Sequence, residues 1–151
     1  MKKSAGILLF RKKADSIEVM LVHPGGPFWK NKDEGAWSIP KGEFTDEDPL
    51  AAARREFFEE TGMEAAGTFI ELTPLRQKSG KLVMAWALQK NIDVSKIKSN
   101  EFEMEWPPRS GKFISVPEVD KGEWFSTSIA KQKIIPGQAA LIDELLEKLH
   151  A

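Results

Sequence analysis

The segment from Gly42 to Met63, GEFTDEDPLAAARREFFEETGM, constrains this chain more than any other stretch. Asp48 and Pro49 read as a helix start, because a carboxylate can accept from the free amides and proline tolerates the first turn. Leu50 to Thr61 contains no breaker, and Gly62 suits the left-handed residue that ends a helix. Winding this stretch into a helix puts Glu56, Glu59 and Glu60 at i, i+3 and i+4, so the three carboxylates project to one side. Leu50, Ala53 and Phe57 form a second, apolar stripe able to pack on a sheet. Glu59 and Glu60 lie in the last turn, where each negative charge opposes the helix dipole by about 0.3–1 kcal/mol. Arg55, four residues before Glu59, offsets part of this. Two readings of the residues alone remain open. One is a wet acidic face; the other is an oxygen-ligand site for a hard divalent cation, with positions left for substrate phosphates.

Composition narrows the class. The 151 residues are 41% hydrophobic and 30% charged, which suits a globular protein and excludes a disordered one. A single domain over 1–151 is expected, long enough to bury a core without disulfides or a structural metal. The chain has no cysteine, so thiol chemistry and thiolate metal sites are excluded. Lys and Arg number 22 against 23 Asp and Glu, a balance that argues against a long nucleic acid as partner. Net charge near zero leaves a monomer or a homodimer open. No apolar run approaches the roughly 18 residues of a membrane span. Lys2 and Lys3 precede Ile7 to Phe10 in the manner of a leader peptide. The apolar run is short, however, and Arg11-Lys12-Lys13 stands where a small-residue cleavage site belongs. We read it as the first strand of a cytoplasmic protein.

Along the chain, residues 5–10 and 17–22 read as neighbouring strands, followed by a Gly/Pro-rich loop over 23–34 that carries Phe28 and Trp29. A short strand over 36–39 and a turn over 41–47 lead to the acidic helix. Residues 68–75 and 82–89 read as strands, 91–100 as a polar connection, and 101–106 as a half-buried strand because it alternates with period two. Residues 109–121 read as loop, 123–125 as a short strand, and 138–150 as a second long helix with Ala139, Ile142, Leu145, Leu146 and Leu149 on one face. Ser126 or Thr127 can cap a brief helix between them. Trp37, Trp86 and Trp124 fall in strand patterns and are expected in the core; His23, at a strand end, is expected to be structural. Strands mixed with two substantial helices indicate an α/β fold with helices packed on a mixed sheet.

The long motif resembles the signature of the Nudix hydrolase family. Glu47 is followed by seven residues and then Arg55-Glu56-Phe57-Phe58-Glu59-Glu60-Thr61-Gly62-Met63, and Pro40-Lys41-Gly42 precedes it as in relatives. Two departures stand out. The four residues between Gly42 and Glu47 are one fewer than the family pattern, and Phe57 replaces the usual aliphatic residue. Glu118, six residues before Trp124, matches the family's loop Glu before a late-strand Trp; Glu103 and Glu105 compete for that role. The order of elements follows the family over nearly the whole chain.

This resemblance implies an α/β/α sandwich and the hydrolysis of a phosphoanhydride in a nucleoside diphosphate linked to another group, with nucleoside triphosphates or dinucleoside polyphosphates favoured. It implies Mg2+ or Mn2+ held by Glu59, Glu60, Glu56, the carbonyl of Gly42, and Glu118. Glu56 or Glu118 would act as general base, and Arg55 would orient the acids by a bidentate bond. Lys41, Trp29, Arg109 and Lys112 are candidates for holding the small-molecule nucleotide, by charge or by stacking. The rival expectation is a Nudix-fold module that binds nucleotide with weak or no catalysis; intact Glu56, Glu59 and Glu60 weigh against it.

Overall fold

The computed structural model describes residues 2–150; Met1 and Ala151, the ends of the expected 1–151 domain, lie outside the described residues. Nine strands and three helices occur in the order β1 (Lys3–Lys13), β2 (Ser16–Pro24), β3 (Lys41–Phe44), α1 (Pro49–Thr61), β4 (Phe69–Glu71), β5 (Leu75–Arg76), β6 (Leu82–Gln89), β7 (Glu101–Glu105), β8 (Phe113–Pro117), β9 (Val119–Ser126), α2 (Thr127–Lys133) and α3 (Ala139–His150) among the described residues. A mixed sheet runs β4-β6-β1-β2-β9, with β5 on β6 and β3 on β1. Among the described strands of this sheet, β1 and β6 pair in parallel and the other pairs are antiparallel.

The strand alternation of β1 and β2 builds two cores. Leu8, Phe10, Val19 and Leu21 face α2 and α3, packing on Ala130, Leu141, Ile142 and Leu145. Ala5, Ile7, Leu9, Met20 and Val22 face the other way, onto Ala52, Ala53 and Phe57 of α1. Burying a side chain such as Phe57 in full contributes roughly 1.5–3 kcal/mol. The result is an α/β/α sandwich, as the helix stripes require.

The sheet also opens a cleft. The first half of β1 pairs with β3 through Lys3 to Gly6, and the second half pairs with β2 from Leu9 onward, on the same edge. The gap between is bridged by Ile7 N donating to Pro40 O at 3.1 Å and by a reciprocal Val22–Ser38 backbone pair at 2.8 and 3.0 Å.

Several expectations need correction. Residues 41–44 are a strand, not a turn, because β1 supplies their hydrogen-bond partners. The 36–39 strand is reduced to isolated bridges from Trp37 and Ser38. The 68–75 strand is two short ones, β4 and β5. The expected loop over 109–121 holds β8 and the start of β9. Strand β7 is mostly exposed rather than half-buried, since it and β8 form a separate two-stranded sheet. Trp37 is buried, but Trp86 and Trp124 are only partly so. Among the described residues no helix is long and apolar enough to cross a membrane.

Candidate active site

Helix α1 is delimited as its sequence directs. The Asp48 carboxylate accepts from Ala51 N at 3.0 Å, Pro49 occupies the first turn, and Gly62 closes the helix at φ 75° with its amide on Phe58 O. These caps set where the acids of the last two turns point.

Arg55 organises them. Its Nε and Nη2 make a fork with both Glu47 oxygens at 2.9 and 2.7 Å, while Nη1 donates to Glu56 at 2.8 Å and Glu59 at 3.0 Å. The shortened loop therefore still delivers Glu47 to Arg55, and Glu47 is held below the ordinary carboxylate range by that bond. Gly42 lies against the Glu56 carboxylate: a Cβ there would fall 2.0 to 2.5 Å from its oxygens and carboxyl carbon. Only glycine allows this approach.

Four sequence-derived candidates border one cleft of about 180 Å³, namely Trp29, Lys41, Glu60 and Glu118. Glu60 Oε1 accepts from the Lys41 amide at 3.3 Å. Burial, and then the charge of Glu118, push the Glu60 carboxyl up to about 8. Burial first and Glu59 second also raise Glu56 and Glu118. Lys41 is lowered by burial and by Lys81. The remaining walls are apolar apart from Ser38, and include Val22, Ile39 and Ile135. Sequence reading missed Ser38, Ile39 and Ile135, which carry no motif and meet only through the sheet opening. Buried Gln138, also missed, fixes two of them by accepting from Ile39 N at 3.1 Å and donating to Ser38 Oγ at 3.1 Å.

Arg109 and Lys112 are elsewhere. They sit at the exposed tip of the β7–β8 hairpin and do not border the cleft. The Glu105 carboxylate accepts from the amides of Arg109 and Gly111 there, so Glu105 is a turn-forming residue. His23 is buried and hydrogen-bonded, on the far side of the sheet.

The donor chemistry suits a hard cation: carboxylates and carbonyls only, with three acids raised by burial and mutual repulsion. Among the described residues no three acidic or histidine groups form a ready-made cage. Arg55 holds Glu56 and Glu59, while Glu60 turns to the Lys41 amide.

Comparison with known proteins places this geometry in context. The model of the NUDIX domain matches residues 1–145. The structure is similar to a binary complex of Ap4A hydrolase from C. elegans, with TM-score 0.71 and 22% identity over 99% of this chain and 98% of that one. It is also similar to the NUDIX domain of Shewanella oneidensis NrtR complexed with ADP ribose (TM-score 0.64, 16% identity, 97% and 87% covered). A mutT/nudix family protein from Listeria innocua gives TM-score 0.64 at 14% identity, with 99% and 94% covered. No curated protein matches the sequence. Identities this low establish the fold, and the domain match supplies the family: the chain belongs to the Nudix family of pyrophosphohydrolases.

Proposed function

We propose that this chain, as one catalytic domain over 1–151, is a metal-dependent hydrolase of a phosphoanhydride in a nucleoside diphosphate linked to another group. The observation that carries the reading is the convergence of Glu60, Glu118 and Lys41 on one cleft beside the Arg55-ordered acids of α1. Glu59, Glu60, Glu56, Glu118 and the Gly42 carbonyl are the groups that would hold the cation. Mg2+ or Mn2+, when bound, neutralises adjacent phosphates and acidifies water. The chain's own residues do the rest. Lys41 sets a positive charge at the cleft for a phosphate oxygen. Glu118 faces the cleft with no ion pair among the described residues, and its raised proton affinity makes it the better-placed acceptor for the proton of the attacking water. Glu56, tied to Arg55 and pressed on Gly42, is the alternative acceptor. Arg55 acts by positioning carboxylates.

Trp29 on the apolar cleft wall supports a nucleoside as the bound group, since stacking is worth roughly 1–3 kcal/mol per base. The likeness to an Ap4A hydrolase supports a dinucleoside polyphosphate, with nucleoside triphosphates next. A cytoplasmic setting, a small-molecule rather than nucleic-acid substrate, and a monomeric or homodimeric state belong to the same proposal.

The test is phosphate and pyrophosphate release from dinucleoside polyphosphates, nucleoside triphosphates and nucleotide sugars, in Mg2+, Mn2+ or EDTA. We expect turnover that EDTA abolishes and that Glu60→Gln lowers by about 100-fold or more. Nucleotide binding with no turnover on any of these would replace the hydrolase with a binding module.

A further inference from the structure

We propose that the cavity beside His23, on the α3 side of the sheet, is a second binding site that takes a small phosphate-bearing anion. Val22 and His23 are neighbours on β2 and point to opposite faces, so Val22 lines the cleft described above while His23 lines this cavity. Its volume is about 340 Å³, and its walls come from the 24–34 loop, β9 and α2.

The case rests on which charges are already matched. His23 is 3% exposed. Its Nδ1 lies 3.0 Å from Asp120 Oδ1, and its Nε2 lies 2.6 Å from the Lys32 carbonyl. Both partners are acceptors. A neutral imidazole can donate to one of them, and the imidazolium donates to both. Asp120 is thus hydrogen-bonded to His23. Asp33 accepts from Trp37 Nε1 at 2.8 Å and is paired with Lys133. What remains facing the cavity is Lys30, Lys32 and Lys121 against the carboxylates of Asp120 and Glu123. None of those three lysines makes a salt bridge with a carboxylate among the described residues, though Lys121 lies near enough to lower Asp33 by its charge. Lys32 Nζ sits 4.3 Å from the centre of the Phe28 ring, and Lys121 Nζ sits 5.5 Å from that of Trp37.

Four lysines against three carboxylates on its walls leave an excess of positive charge that suits a small anion, and ammonium groups act as point charges that match a phosphate without demanding a planar fork. The ring of Trp37 is 2% exposed and offers no open face for a base. The cavity therefore recognises the phosphate and not a nucleoside. Free inorganic phosphate or pyrophosphate, and the phosphate end of a nucleotide, share this chemistry. The inference does not depend on the hydrolase reading, because none of these residues borders the cleft.

Two tryptophans make the test internal. The Trp37 indole N–H reports on the cavity through its bond to Asp33, whereas Trp29 lines the cleft and also lies 5.7 Å from Lys32 Nζ. Both are followed by NMR while pyrophosphate, or separately AMP, is titrated into the whole protein in EDTA. We expect a saturable shift of the Trp37 signal with pyrophosphate that exceeds any shift of the Trp29 signal. Lys30→Gln and Lys121→Gln should each weaken it roughly fivefold, the scale of one exposed ion pair. Lys121→Arg should preserve it, and Glu60→Gln should leave it unchanged. An equal response to AMP assigns the site to a nucleotide's phosphate end; no response to AMP assigns it to the free anion. A still Trp37 signal, a shift confined to Trp29, or a Trp37 shift indifferent to both lysine substitutions would overturn the site.

Discussion

At Gly42 backbone and side chain meet so closely that function and stability can be separated by one methyl group. A Cβ at this position would lie 2.0 Å from Glu56 Oε2. What it strikes is the far end of a flexible side chain, so the fold can yield by moving the carboxylate. Gly42→Ala is therefore expected to cost about 1–3 kcal/mol of stability, the scale of a local overpacking. The same displacement takes Glu56 from its place between Gly42 and Arg55, and kcat should fall about 100-fold, since misplacement by about an ångström costs that much. Denaturant unfolding and steady-state kinetics on one preparation decide it; unchanged kcat would remove Glu56 from the machinery. Gly42, Glu47, Arg55, Glu56, Glu59 and Glu60 were all legible in the sequence because one contiguous segment carries them at fixed spacing. Glu118 was legible only through its distance from Trp124. Arg109 and Lys112 were plausible as cations after a Pro-Pro corner, but sequence carries no information on which way a hairpin tip faces.

Among the elements, those whose causes are local were the readable ones. The α1 boundaries follow from Asp48, Pro49 and Gly62, and α3 from its apolar stripe. Strand β6 occupies the expected residues 82–89 because its continuous apolar run is buried on one face and partly buried on the other. Strands with remote causes were not readable. Strand β3 has four residues and exists because β1 offers an edge to Lys41–Phe44. Strand β8 is recruited by β7, and alternation in β7 signals pairing rather than burial. The turn Pro136–Gln138 shows the same dependence at the cleft. Gln138 is fully buried and reaches across 99 residues of sequence to the Ile39 amide. Gln138→Ala should leave that amide unsatisfied, at about 1–3 kcal/mol. Because Ser38 and Ile39 line the cleft, KM for the nucleotide should rise in the same variant. A stability loss with unaltered KM would mean that the turn supports the fold without shaping the cleft.

For the molecule as a whole, the acids of the cleft couple folding to protons and to cations. Glu60 has its carboxyl pushed up to about 8, so between its ordinary value and about 8 the folded chain binds a proton that the unfolded chain has lost. Stability then falls as pH rises through that window, the reverse of the usual carboxylate behaviour. The contribution is fully present below about pH 4.5 and gone above about pH 8. Glu56 and Glu118, also raised, act in the same sense. The depressed acids, such as Glu43 bonded to Lys81 and Glu47 bonded to Arg55, act in the opposite sense, but their stabilisation is lost only as pH falls below the ordinary carboxylate range. The slope between about pH 5 and about pH 9 in EDTA should therefore be negative and worth on the order of 2–5 kcal/mol. A divalent cation binds the ionised acids, so the rise in Tm caused by Mg2+ should grow from about pH 6 to about pH 9. Calorimetry with and without Mg2+ across that range measures both effects. A Mg2+ increment that stays flat with pH would show that the cation does not engage the raised carboxylates, and that their crowding has another cause.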